Sequence, residues 1–199
     1  EIVSALTRHS LKFQQPLEIA QAVASALFSG KIVARFDGRM EYGPRALGNR
    51  SILCHCGDPS VNDWLNAKLN RTEFMPFAPM TLAEDAKRCY VGIEKSQESA
   101  FFMTVTYECT EYMKRICPAV VHVDGTARPQ LVSEKSNQSL YRVLSEYEKL
   151  SGVSSLINTS FNMHEEPIVC SPDDAIRAFV DSGLDYLAIG PYLVTQSLV

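Results

Sequence analysis

Gly38-Arg39-Met40-Glu41-Tyr42-Gly43-Pro44-Arg45-Ala46-Leu47-Gly48-Asn49-Arg50-Ser51 follows a short apolar stretch, Lys31 to Phe36, whose pattern predicts a β-strand. Its glycines let the backbone approach a ligand, and Pro44 stiffens the turn. Each arginine carries a planar fork of donors that fits phosphate or carboxylate oxygens. The stretch therefore predicts an anion-holding loop at a strand's end. A plainer reading has the arginines pairing with Asp37 or Glu41 and bracing a turn. The spacing matches neither the GxxxxGK[ST] phosphate loop nor the dinucleotide fingerprint.

Working outward, Leu17, Ala20, Val23, Ala24 and Leu27 recur at helical spacing behind Pro16, with Gly30 as the stop. Residues 1–15 are expected to be a linker or the remnant of a preceding domain. Downstream, Ser51 to Cys56 predicts a strand. Asp58-Pro59 opens a helix carrying Val61, Trp64, Leu65, Lys68 and Leu69 on one side, with Trp64 expected in the core. Arg71 to Pro79, with two prolines and two aromatics, predicts a rigid turn that positions Arg71.

Ala83 to Val91 predicts a helix, Ala100 to Tyr107 an alternating strand, and Ala119 to Asp124 a buried strand holding His122 as a core residue. Asp124-Gly125-Thr126 then turns the chain into a return strand, Ala127 to Ser133, which gathers Asp124, Thr126 and Arg128 near a hairpin tip. Leu140 to Leu150 predicts a helix ended by Gly152. Ser154 to Ile157 predicts a strand opening into Asn158-Thr159-Ser160-Phe161-Asn162. Ser171-Pro172-Asp173-Asp174 has the composition of a helix start, with Ile176, Phe179 and Val180 turned to the core and Gly183 as the stop. Tyr186 to Ile189 predicts a last strand. Alternating strands and helices without an internal repeat argue for a single α/β domain.

Composition sets the bounds. With 46% hydrophobic and 21% charged residues, the 199-residue chain can bury a core, and a net charge of −4 argues against a nucleic-acid-binding surface. No run is long enough to span a membrane, and no signal peptide is evident, so a soluble, cytoplasmic protein is expected. With Glu1 rather than Met first, an excised fragment is expected, and tag removal or processing would look the same. Six cysteines without a CxxC pair fit free thiols in a reducing compartment, and Cys54-His55-Cys56 would split its ligands between two strand faces, so no metal site is expected.

Four blocks carry a resemblance: Glu41-Tyr-Gly-Pro-Arg-Ala-Leu-Gly-Asn-Arg-Ser51, His122-Val-Asp-Gly-Thr-Ala-Arg128, Asn158-Thr-Ser-Phe-Asn162 and Glu166-Pro-Ile-Val-Cys-Ser-Pro172. In this order they resemble the C-terminal domain of the O-carbamoyltransferases of nodulation-factor and antibiotic biosynthesis. The resemblance implies that residues 16–199 form a YrdC-like domain, a twisted mixed sheet with packed helices. It implies ATP-dependent activation of carbamoyl phosphate to carbamoyl-adenylate, with Mg2+ accompanying ATP. Transfer to a hydroxyl acceptor would belong to an N-terminal domain of the same polypeptide, and neither nucleic acid nor membrane is an expected partner.

Such chemistry holds two polyanions side by side and stabilises charge as pyrophosphate leaves. Arg45, Arg128 and Ser160 are the expected catalytic residues. Substrate binding is expected from Arg39, Arg50, Ser51, Lys68 and Arg71, and from Asp124, Thr126, Asn158, Thr159 and Asn162. Each has a plainer alternative: surface ion pairs for Arg39, Lys68 and Arg71, a turn for Asp124 to Thr126, and local capping for Asn158 to Asn162. Many relatives carry arginine where this chain has Met75 and glycine where it has Glu165. Rival functions are a threonylcarbamoyl-adenylate synthase of tRNA modification and a non-catalytic nucleotide-binding regulatory domain.

Overall fold

A computed structural model describes residues 1–69 and 77–198. The expectations placed on Arg71 and Met75 lie outside the described residues. Ten strands are assigned: β1 (Leu11–Gln14), β2 (Val33–Phe36), β3 (Arg50–Cys54), β4 (Ala78–Leu82), β5 (Tyr107–Glu108), β6 (Thr126–Ala127), β7 (Gln130–Val132), β8 (Ser155–Ser160), β9 (Tyr186–Ile189) and β10 (Tyr192–Leu198). The helices are α1 (Ile2–Arg8), α2 (Ile19–Phe28), α3 (Val61–Lys68), α4 (Ala86–Cys89), α5 (Gln97–Ala100), α6 (Glu111–Ile116), α7 (Gln138–Ser151) and α8 (Pro172–Ser182).

Eight strands make one mixed sheet in the order β1-β10-β9-β2-β3-β8-β4-β7, while β5 and β6 pair separately. The β2–β9 and β4–β7 pairs are parallel and the other pairs of the large sheet antiparallel. Alternate residues of each strand point to opposite faces. Val33, Leu53, Met80, Val132, Leu156 and Ala188 accordingly pack beneath α2 and α7. Ala34, Phe36, Ile52, Ile157, Leu187 and Ile189 pack on the other side, where α1, α3 and α8 contribute Leu6, Leu65 and Phe179. The result is two helical layers around a central sheet.

Local signals in the sequence explain several boundaries. Ser171 caps α8 in a complete capping box with Asp174, and its bonds hold the Asp174 carboxyl below the usual range. Gly152 and Gly183 close α7 and α8 in the left-handed conformation.

Other expectations are corrected. Residues 1–15 are not a linker: α1 packs on α8 with Ala5 and Leu6 fully buried, and β1 pairs with β10 at the sheet's edge. The expected strand from Ala100 to Tyr107 is reduced to its last residue, which begins β5: Ala100 ends α5, Phe101 and Phe102 continue from it through 3-10-type bonds, and 104–106 are irregular. Ala119 to Asp124 is a short 3-10 turn and loop that leaves Val123 fully exposed, and His122 is only half-buried. β6 therefore pairs with β5, not with that segment. Trp64 is 42% and Val180 43% exposed, so neither is a core residue.

Candidate anion site

On the α2/α7 face, the apolar alternation of the strands gives way to polar residues at one end of the sheet. Arg35 lies two positions from Val33, Ser51 two from Leu53, Gln130 two from Val132, and Asn158 and Ser160 continue from Leu156. Arg35, Ser51, Gln130 and Asn158 are all buried. Registers place Arg35 opposite Ser51 and Ser51 opposite Ser160. The loop between β2 and β3, residues 37–49, folds over this polar end.

Its main chain is pinned from Ala46 to Arg50. The Ala46 carbonyl accepts from Asn158 Nδ2 at 3.0 Å, the Leu47 carbonyl from Gln130 Nε2 at 2.7 Å, and the Gly48 carbonyl from Arg35. On the donor side, Glu41 Oε1 accepts the N–H groups of Leu47 and Asn49, both at 2.7 Å, and of Arg50 at 3.1 Å. Gly48 N–H donates to Ser51 Oγ at 2.9 Å. Glycine is required at 48, where φ is +106° and a Cβ would run into Leu140 of α7. Glu41 thus replaces the ion pair that the sequence offered: it holds backbone, not arginine.

The arginines divide by role. Arg35, buried in β2, pairs with Asp37 at 2.6 Å and donates to Ser139 Oγ at 2.6 Å, tying the loop to the start of α7. Burial lowers its pKa, opposed by Asp37 and Glu41. Arg50 lies over the Phe36 ring at 3.6 Å and donates to the carbonyls of Asp37, Gly38 and Asn49. It braces the loop from the opposite face. Arg39 contributes its carbonyl, which accepts from Asn49 Nδ2 at 2.8 Å, while its side chain is exposed.

Arg45 and Arg128 differ. Neither has a hydrogen-bond or ion-pair partner among the described residues. The pKa of Arg128 is lowered first by burial and then by the like charge of Arg45. The half-buried Arg128 guanidinium thus feels the like charge of the exposed Arg45, and neither is paired with a carboxylate among the described residues. Like charges so placed repel, and an anion between them removes that cost.

The remaining expected residues are placed as follows. Thr159 and Ser160 are half-buried at the end of β8. Asn162 donates through Nδ2 to the carbonyls of Met163 and Glu166, at 3.0 and 2.8 Å. Asp124 accepts the N–H and O–H of Thr126, at 3.0 and 2.7 Å, and these bonds hold its pKa low; Thr126 Oγ1 in turn meets His122 Nδ1 at 3.0 Å. This pair is occupied within its own turn. Lys68 donates to the Gly183 carbonyl at 3.2 Å at the carboxyl end of α8, a favourable place for a cation, and no contact joins it to the loop among the described residues. Glu165 adopts a left-handed φ of +63° and is exposed.

Arg35, Glu41 and Gln130 were not expected as site residues. Arg35 and Gln130 had a signal in the sequence, a polar residue at an inward position of an otherwise apolar strand. Glu41 had none, because nothing in the spacing distinguishes a carboxylate that binds N–H groups from one that pairs with arginine.

Beside the loop lies an open cavity of about 530 Å³, lined among others by Tyr42, Leu47, Phe101, Phe102, Gln130 and Lys135. Among the described residues no group of three His, Cys, Asp or Glu side chains is gathered to hold a metal ion.

The family model described as "Carbamoyltransferase C-terminus" matches residues 24–196. The chain belongs to the carbamoyltransferase C-terminus family. The chain is 39% identical over 187 residues to nodulation protein NolO of Bradyrhizobium diazoefficiens, covering 94% of the chain and 34% of the relative. It is 36% identical over 162 residues to 3'-hydroxymethylcephem-O-carbamoyltransferase of Streptomyces clavuligerus, covering 81% of the chain and 30% of the relative. The domain spans about a quarter to a third of the length of such curated relatives. Among solved structures it resembles full-length HypF in a phosphate- and nucleotide-bound form, with a TM-score of 0.57 at 22% identity over 86% of this chain and 21% of that one. The carbamoyltransferase domain has the YrdC-like α/β fold.

Proposed function

We propose that this domain binds carbamoyl phosphate and ATP and forms carbamoyl-adenylate, the activated half of an O-carbamoyl transfer completed by another domain of the same polypeptide. The observation that carries the reading is the pair Arg45 and Arg128, two cations without a carboxylate partner among the described residues, beside a loop whose main chain is tied down from Ala46 to Arg50. Family membership supplies the substrate class, and the HypF title names phosphate and nucleotide for that protein. The cavity beside the loop has the volume and mixed aromatic and polar lining of a small-ligand site and is where the nucleoside would lie.

The balance requires water. Carbamoyl phosphate gives up inorganic phosphate to water, the carbamate oxygen bonds to the α-phosphorus of ATP, and the bond to pyrophosphate breaks. In this reading Arg45 and Arg128 offset the phosphate charge that accumulates as these groups meet. Ser160 donates its hydroxyl to a phosphate oxygen. Arg35, Glu41, Arg50, Ser51 and Gln130 do not touch substrate; they fix the loop. Magnesium would arrive on the nucleotide's phosphates. No described helix is long and apolar enough to cross a membrane, and the free cysteines, five of them buried, fit a cytoplasmic site of action.

Incubation of the domain with ATP, magnesium and carbamoyl phosphate tests this. Release of pyrophosphate with a carbamoylated adenylate is the expected result. Nucleotide binding without either product would contradict the proposal and favour a regulatory domain, and turnover only with threonine and bicarbonate would favour the threonylcarbamoyl reaction.

A further inference from the structure

Asn158 holds a buried acceptor that no described residue uses. Its Nδ2 donates to the Ala46 carbonyl at 3.0 Å and to Gln130 Oε1 at 2.7 Å. The direction of both amides is fixed by main chain. Gln130 must present Nε2 to the Leu47 carbonyl, which turns its Oε1 toward Asn158, and Asn158 must then present nitrogen to both Gln130 and Ala46. A flipped Asn158 would set its oxygen against two oxygens. Its Oδ1 is therefore left over: it is buried and accepts no hydrogen bond among the described residues, in a residue only 2% exposed. Buried polar atoms without partners are rare in folded proteins and costly to leave unpaired.

This acceptor sits in a particular place. The Ala46 carbonyl it is linked to belongs to the residue next to Arg45, and Asn158 is two residues before Ser160 on the same face of β8. Asn162 repeats the construction, with its nitrogen committed to two main-chain carbonyls and its Oδ1 buried and unpartnered. Asn158 is the better placed, because its amide is tied to the arginine loop itself. The arginines supply only donors, and the Ser160 hydroxyl can add another, which suits phosphate. A group that satisfies Asn158 has to be a donor, and a small one, since the atom is enclosed.

We infer that Asn158 is the specificity-determining residue of this site, its Oδ1 accepting a hydrogen bond from the NH2 of the carbamoyl group and so selecting carbamoyl over acyl or bicarbonate-derived groups that share the phosphate. The inference rests on the function proposed above and adds what that reading leaves open, how the site recognises the end of the substrate that is not phosphate. A methyl group or a deprotonated oxygen at that position leaves the acceptor unsatisfied.

The test compares phosphonoacetamide with acetonylphosphonate, stable compounds that share a carbonyl and a phosphonate and differ by NH2 against CH3. Calorimetry on the wild-type chain should show the amide binding about tenfold tighter or more, with the methyl ketone still bound through the arginines. In Asn158→Ala, and in Asn158→Ser as the milder change, the ratio should fall toward one. A purely structural role would weaken both ligands alike and leave the ratio unchanged. Equal wild-type affinities, or a ratio that survives in a folded Asn158 variant, would overturn the inference while leaving the phosphate site standing. If neither phosphonate nor inorganic phosphate binds, the proposed function fails with it. Should neither variant fold, the wild-type ratio decides.

Discussion

At Ser160 the distinction between a ligand contact and a local cap can be drawn directly. Its carbonyl accepts the Asn162 N–H at 3.2 Å, while its hydroxyl makes no hydrogen bond among the described residues. Ser160→Ala should therefore shift stability by no more than about 0.5 kcal/mol and still depress pyrophosphate release. Normal turnover with a lowered melting temperature would reverse the assignment. Glu165 makes a second residue-scale case. Its φ of +63° is a conformation that glycine adopts without strain. Glu165→Gly should leave the melting temperature unchanged or higher, whereas Glu165→Val, whose β-branch crowds this conformation further, should lower it. A destabilised glycine variant would show that the glutamate side chain contributes more than its backbone strain costs.

At the scale of elements, the arginine loop depends on Glu41. Removing its carboxylate in Glu41→Ala strands three main-chain donors that Oε1 now satisfies. We expect a loss of about 2–4 kcal/mol and a matching loss of anion affinity. Glu41→Gln keeps an oxygen for the three donors and should retain most of both. Thermal melts alongside phosphate titrations separate the two variants; an unperturbed Glu41→Ala would mean that the loop is held by its carbonyls alone. In α7, the Glu148 carboxyl has its pKa raised, first by burial and then by a hydrogen bond with Asp85. A raised folded-state pKa favours the protonated form, so this stabilisation is present below the ordinary glutamate range near about 4.3 and is lost as pH climbs through the folded value. Glu148→Gln should consequently raise the melting temperature at pH 7 and change it little at pH 4. Equal effects at both pH values would remove the group from the account.

For the molecule as a whole, how much could be read from sequence depended on whether a signal was local. The capping box at Ser171 and the alternation in β2, β3, β8 and β9 are properties of a few adjacent residues, and the structure keeps them. α1 and β1 were illegible because their partners, α8 and β10, lie at the other end of the chain. Val121, His122 and Val123 looked like a strand by β-branching, but Pro118 and the tight His122–Thr126 turn leave that stretch no ladder. Within the site, Arg45 and Arg128 could be anticipated from their loops. That Arg50 would turn to the other face could not, since it follows from the β2–β3 register. Deleting residues 1–15 tests the correction made to the amino-terminal segment. Leu6 and Leu11 are buried, and each such side chain contributes about 1.5–3 kcal/mol, so the truncated chain should melt well below the intact one. Coincident melts would return the segment to a linker.

The central claim is that Arg45 and Arg128 together hold phosphate. Calorimetric titration of carbamoyl phosphate and of ATP into the wild-type chain, Arg45→Ala, Arg128→Ala and the double variant tests it most directly. Charged hydrogen bonds of about 1.5–3 kcal/mol correspond to roughly ten- to hundredfold. Each single variant should lose that much affinity for both ligands, with lysine at either position restoring only part of it for want of the fork. The double variant should lose less than the product of the two, because one anion bridges both. Affinities unchanged in both single variants would contradict the claim.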